Sequence, residues 1–323
     1  MSVALLGAGR VASVHAAAFT RAGARVSYVV DPREEAARRL AAEVGAKPLE
    51  DAATALSDAS LDALAIAAPH HLHAPLSEQA LHAGKHVYSD KPLANEVAEG
   101  ERLRELARER GLVLAVCHNL LFHPALLRAG KLISRGVLGR ATTVDAWNCG
   151  WLDLAPWDFR RDAAATGGGA WFDGGGHLVY AIEALLGRFE RLVATHGGGP
   201  SRIGGEDTCA ASGRLEEGAA VSLRVSYSDR LPGHELGWPE GWRLGFDLRG
   251  TAGCLRLELL PRARLAWSEG GDQREEQLDV PFSAAFDDAA ADFVEAVARG
   301  RPPRVGPSEA LRVLELMRAA ERE

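Results

Sequence analysis

Two short stretches carry residue types that can move a proton and steady a developing charge. The first is Ser89-Asp90-Lys91-Pro92, which directly follows a short apolar run. Proline disfavours helix at the residue before it, so Lys91 is held extended. Its ammonium can then hydrogen-bond a substrate hydroxyl and stabilise the alkoxide that develops during oxidation. The second stretch is Gly167-Gly168-Gly169-Ala170-Trp171-Phe172-Asp173-Gly174-Gly175-Gly176-His177. Apolar residues continue at helical period to Leu186, so Asp173 and His177, at i and i+4, are expected on one helix face. Each glycine costs a helix about 1 kcal/mol relative to alanine. Three in succession therefore imply close approach by a ligand or another backbone. An imidazole with an ordinary pKa of about 6.5 can take the proton of a carbinol while hydride leaves its carbon. Asp173 would orient that imidazole or bind substrate. A lysine in a surface turn and a tightly packed helix with an incidental histidine are the plainer readings of the same residues.

Hydride chemistry needs an acceptor, and the start of the chain predicts what holds it. Val3-Ala4-Leu5-Leu6 is a buried-strand pattern, and Gly7-Ala8-Gly9-Arg10-Val11-Ala12 leads into a helix reaching Arg21. Gly7 permits the tight turn, Gly9 lets the backbone approach a pyrophosphate at the helix N-terminus, and Ala12 allows close helix–strand packing. The next apolar strand, Val26 to Val30, ends in Asp31, where a carboxylate can accept hydrogen bonds from a ribose diol. Asp31 would repel a 2′-phosphate, which favours NAD over NADP, although Arg33 offers a phosphate partner.

These groups must be positioned by a frame. Up to about residue 118 strands alternate with helices: a helix over 33–44, a strand over 61–67, a helix over 72–83, a strand over 85–88, a helix over 95–110 and a strand over 112–116. That alternation predicts a parallel, doubly wound Rossmann sheet. Ligands on such sheets bind beyond the carboxyl ends of the strands, which singles out Pro69 to His73, Asp90 to Pro92 and Cys117 to Asn119. His73 is expected to cap or pack near the nicotinamide. After residue 119 a helix over 123–135 precedes a strand over 142–148 and a series of β runs between residues 208 and 280, separated by short turns. Such runs predict a mainly antiparallel open sheet. Helices over 284–299 and 307–322 follow. The expected organisation is a dinucleotide-binding domain over 1–118 and an α+β substrate-binding and oligomerisation domain over 119–323, with the last helices able to pack back on the first domain.

The 323 residues are 47% hydrophobic and 25% charged, with formal net charge −7. This balance argues against nucleic acid or an anionic membrane as partner. No apolar stretch approaches membrane-spanning length. The first strand begins at residue 3, which predicts no signal peptide. Cys117, Cys149, Cys209 and Cys254 are scattered without metal spacing and read as buried thiols in a reducing cytoplasm. His70, His71 and His73, or Asp173 with His177, have no third and fourth ligand at recognisable spacing, so no metal is expected. All seven tryptophans lie beyond residue 146. Trp157 or Trp171 would offer an indole face to a sugar ring, the plainer reading being core or interface filler, and Arg160 and Arg161 would meet an anionic substituent, the plainer reading being a solvated loop.

Taken together, the chain resembles the glucose–fructose oxidoreductase/inositol 2-dehydrogenase (Gfo/Idh/MocA) family. The resemblance rests on the N-terminal fingerprint, Pro69-His70-His71-Leu72-His73, Gly84 to Leu93 including Lys91-Pro92, the Asp173/His177 stretch, and Gly250-Thr251-Ala252-Gly253. It implies an NAD(P)-dependent oxidoreductase acting on a secondary alcohol or ketone of a sugar, cyclitol or related polyol. Lys91 would position the hydroxyl, His177 would act as acid/base and Asp173 would support them. Gly7, Gly9, Arg10, Val11, Asp31, Pro69, His73, Asp90 and Lys91 would serve the cofactor. Asn119, Trp157, Arg160 and Trp171 would join Lys91, Asp173 and His177 around the substrate. A homodimer or homotetramer is implied as well. Three positions depart from the family pattern: Asp90 for the usual Glu, His70 for Asn, and Tyr180 for an acid three residues past the histidine. Redox-neutral chemistry through transient oxidation and a non-catalytic ligand sensor are the rival functions. Retention of Lys91, Asp173 and His177 speaks against the sensor.

Overall fold

The computed structural model describes residues 1–199, 203–236, 238 and 240–321. They form two compact units: Met1–Asn119 with Ala285–Leu314, and Leu120–Ala284 with Glu315–Glu323.

The first unit alternates strand and helix from its start. Its elements are β1 (Ser2–Leu6), α1 (Arg10–Arg21), β2 (Arg25–Val30), α2 (Glu34–Val44), β3 (Lys47–Leu49), α3 (Ala53–Ser57), β4 (Ala63–Ile66), α4 (His73–His82), β5 (His86–Asp90), α5 (Val97–Arg110) and β6 (Leu114–Cys117). The strands pair in the order β3-β2-β1-β4-β5-β6, every pair parallel. β1, β4 and β6 are buried along their whole length, as strands covered by helices on both faces must be. The order reverses beside β1, so the crevice beyond β1 and β4 is the topological switch point where such sheets take ligands.

The second unit contains α6 (Pro124–Ser134), β7 (Ala141–Cys149), α7 (Ala163–Thr166), a π-helical turn (Trp171–Gly175), α8 (Gly176–Leu186) and strands β8 (Phe189–Gly197), β9 (Thr208–Leu215), β10 (Ala220–Ser226), β11 (Arg243–Gly250), β12 (Cys254–Leu260), β13 (Arg264–Glu269) and β14 (Asp272–Gln277). The sheet order is β14-β13-β12-β11-β7-β10-β9-β8. All neighbours are antiparallel except β7 and β10, so the sheet is mixed, mainly antiparallel. β10 alternates exposed and buried residues, the mark of a strand with one face on a core. Helices α9 (Ala284–Arg299) and α10 (Pro307–Ala320) end the chain.

One cap makes the second unit sensitive to acid. Pro124 opens α6, and the buried His123 ring caps it, Nδ1 accepting the Ala125 N–H over 3.2 Å. Burial pushes the His123 pKa down to about 4. The folded value lies below the unfolded value of about 6.5, so the unfolded chain binds more protons as pH falls. The stabilisation is complete above about pH 6.5 and is lost towards pH 4, with a ceiling on the order of 3 kcal/mol. A proton on Nδ1 would also abolish the cap. His123→Asn keeps a capping acceptor and is expected to lose less stability between pH 7 and pH 4.5 in denaturant titrations. An equal loss in both proteins would contradict this role.

Candidate active site

In the first unit the glycine turn joins β1 to α1 against the end of β4. Gly7 has φ +103°, donates its N–H to Val30 O over 2.7 Å, and a Cβ there would lie 2.3 Å from Ala67 O. Steric demand from the protein itself therefore selects this glycine. At Gly9 a Cβ would meet no atom within 4 Å. The space above it is open, and Arg10 and Val11 continue from it as the first turn of α1.

Asp31, 5% exposed, ties this turn to the end of β2: one oxygen accepts the Ala8 N–H at 2.8 Å and the other the Arg33 N–H at 2.9 Å. The Arg33 guanidinium also lies on the carboxylate, Nε at 3.0 Å and the second nitrogen at 3.1 Å. Burial pushes the Asp31 carboxyl up, but Arg33 and the backbone N–H groups outweigh it and leave the pKa below the ordinary value. The end of β2 so holds a carboxylate with the neighbouring cation turned onto it. This arrangement fits NAD.

The buried His73 ring lies between the loops after β4 and β5, with Nδ1 2.7 Å from Pro92 O and Nε2 2.9 Å from Ala68 O. Burial and the adjacent His70 hold its pKa down to about 4, against the pull of the two carbonyls. The neutral ring carries one N–H, so it donates to one of these carbonyls and packs against the other. Asp90, one methylene shorter than glutamate, stops 3.9 Å from His15 Nε2 and accepts the Lys91 N–H at 3.0 Å. His15, Asp90 and Cys117 bring donor atoms within 4.8 Å of one another, a grouping absent from the sequence reading. Asn119, 3% exposed, opens the turn after β6.

In the second unit Asp173 sits on the π-helical turn and His177 in the first turn of α8. The wide turn interrupts the α-helical register that the i, i+4 spacing presumes. The buried Asp173 carboxylate accepts from Arg160 Nε and from the Tyr227 hydroxyl, both at 2.9 Å. Burial works against the Arg160 charge, but Asp173 and Asp158 raise its pKa overall. Burial, then the Asp173 charge, pushes the Tyr227 pKa well up. Arg160 is therefore the counter-ion of Asp173. His177 is half-buried, with Nδ1 2.6 Å from the Tyr180 hydroxyl.

The glycines of this stretch answer mainly to the protein's own side chains. A Cβ on Gly174 would lie 2.7 Å from Tyr227 Oη, and one on Gly175 2.4 Å from the Trp171 ring. One on Gly176 would meet nothing within 4 Å. Trp171 has 0% exposure, with Nε1 donating to Met317 O over 3.4 Å, so it has no free face for a sugar. Trp157 is 70% exposed. Glu206 cradles the turn from below, its carboxylate accepting the Gly169 and Trp171 N–H groups at 3.1 and 2.8 Å. Trp242 Nε1 donates to Asn148 Oδ1 at 2.6 Å, and Asn148 Nδ2 donates to Gly174 O at 3.1 Å. Tyr227, Glu206, Asn148 and Trp242 were not singled out in the sequence, because each lies far along the chain from the turn it supports.

A Rossmann unit with a glycine turn and a terminal strand acid, in one chain with an α+β unit, is the architecture of an NAD-binding oxidoreductase. Family comparisons agree. Residues 1–118 match the model described as the oxidoreductase family, NAD-binding Rossmann fold, and residues 126–256 match the GFO/IDH/MocA C-terminal domain. A dTDP-3,4-didehydro-2,6-dideoxy-alpha-D-glucose 3-reductase of Streptomyces violaceoruber is 31% identical over 84% of this chain and 77% of its own. The enzyme of the same name from Actinomadura kijaniata is 28% identical over 91% and 86%. The crystal structure of GenD2 from gentamicin A biosynthesis, in complex with NAD, superposes with TM-score 0.84 at 26% identity, covering 99% of this chain and 93% of that one. The chain belongs to the Gfo/Idh/MocA family of oxidoreductases. Among the described residues, no helix is long and apolar enough to cross a membrane.

Proposed function

We propose that this protein moves hydride between nicotinamide and a secondary alcohol or ketone of a sugar, cyclitol or related polyol. The observation that carries the reading is His177, half-buried at the head of α8 with one ring nitrogen already engaged, in a chain whose relatives are sugar reductases. Bound NAD supplies the hydride acceptor at its ring carbon. In oxidation, His177 takes the hydroxyl proton as the C–H bond yields its electron pair and the C–O bond becomes a carbonyl. Lys91 donates a hydrogen bond to the oxygen while it carries alkoxide charge. Run backwards, protonated His177 returns the proton to the carbonyl oxygen. Asp173, pinned by Arg160 and Tyr227, fixes the turn that carries His177. Asn119 and the exposed face of Trp157 supply further contacts to the polyol. A homo-oligomer in a reducing cytoplasm completes the reading.

Nicotinamide absorbance, followed with NAD or NADP and a panel of sugars, inositols and sugar derivatives, tests this directly. Net reduction with one class of polyol, faster with NAD, is expected. A panel that leaves both cofactors and every polyol unchanged would contradict it.

A further inference from the structure

Tyr180 lies three residues beyond His177 on α8, on the same helix face. The two rings meet edge to face with centroids 5.6 Å apart, and the hydroxyl stands 2.6 Å from Nδ1. Tyr180 is 3% exposed, and its oxygen also accepts the Leu120 N–H over 3.3 Å. That N–H can only donate, so of these two neighbours the imidazole alone can exchange donor and acceptor roles with the hydroxyl. A phenol donates to a bare Nδ1 or accepts from a protonated one, and it brings no charge. A carboxylate in its place would only accept, and would favour the imidazolium. The Tyr180 hydroxyl is thus a neutral partner for Nδ1 that suits either charge state of the ring.

We propose that Tyr180 is a positioning residue for His177, holding Nδ1 in either protonation state of the ring. The inference rests on the reading of His177 as acid/base given above. For Nε2 of a neutral imidazole to act as base, the remaining proton must sit on Nδ1, and Tyr180 then accepts it. For His177 to act as acid, both nitrogens carry protons, and Tyr180 again accepts from Nδ1. When Nδ1 is bare, the hydroxyl turns its own proton towards it and keeps the ring in place. The pairing therefore serves oxidation and reduction alike.

The test is ¹⁵N NMR of the full chain with labelled histidine rings, titrated with pH in saturating NAD, for the wild type, Tyr180→Phe and Tyr180→Asp. Tyr180→Phe should shift the Nδ1 resonance and move the neutral-ring proton population towards Nε2. Tyr180→Asp should raise the His177 titration midpoint by about one to two pH units. Tyr180→Phe removes only the hydroxyl and keeps the test open should the buried carboxylate prevent folding. An Nδ1 resonance and midpoint unchanged in every folded variant would overturn the proposal. Turnover that survives His177→Ala would instead overturn the acid/base reading, whatever the NMR of Tyr180 shows.

Discussion

Replacing His177 by alanine is expected to lower turnover by about 10²–10⁴-fold, the usual worth of a positioned acid/base group. The expectation is sharp because His177 belongs to the second unit, whereas the glycine turn and Asp31 belong to the first. Removing the imidazole takes away the proton acceptor and leaves the dinucleotide-binding turn untouched. NAD affinity, measured by quenching or calorimetry, should stay within about twofold, less than 0.5 kcal/mol. A variant that loses affinity and turnover in equal measure would mean that His177 shapes the binding site and does not handle the proton.

The second large effect separates two glycines that look alike in the sequence. Gly7→Ala puts a Cβ 2.3 Å from Ala67 O at a φ of +103°. Backbone strain alone costs about 1–3 kcal/mol there, and the clash with a strand end adds to it. The expected result is a markedly lower melting temperature together with loss of NAD binding. Gly9→Ala places its Cβ in space that no atom of the chain approaches within 4 Å. Its stability should be close to wild type, while NAD affinity falls tenfold or more, about 1.4 kcal/mol, because the methyl intrudes where a pyrophosphate meets the helix N-terminus. If Gly9→Ala bound NAD normally, the pyrophosphate would not lie over this turn.

The contrast shows how far the sequence could be read. Gly7 to Asp31 were legible because the strand–turn–helix–strand pattern is local and its spacing is set by the nucleotide. Most of the alternating elements followed from periodicity for the same reason. The short β3 and α3 and the strand β8 were not legible: β3 is three residues with a central proline, and β8 mixes Glu190, Arg191, Thr195 and His196 among few apolar residues. The parallel β7–β10 pair joins strands some 70 residues apart, which no local pattern encodes. Among the candidate residues, Lys91, Asp173 and His177 stood out by type and context. Their partners did not. Tyr227 reaches Asp173 across 54 positions and Glu206 reaches Trp171 across 35. The helical reading of residues 171–177 missed the π turn, which the packing of Gly174 and Gly175 against Tyr227 and Trp171 permits. Trp171 looked available because an aromatic beside glycines suggests a ligand surface, yet it fills the core beneath α10.

The measurement that bears most directly on the central claim is the fate of the substrate's own hydrogen. The full chain would be incubated with NAD and a sugar deuterated at each ring carbon in turn, and the nicotinamide recovered and weighed by mass spectrometry. Hydride transfer predicts one carbon whose deuterium appears on the nicotinamide ring, with transfer slowed about 10²–10⁴-fold in His177→Ala. The label would appear transiently even if the overall reaction were redox-neutral. Conversion of the sugar with no deuterium ever reaching the nicotinamide would contradict the account.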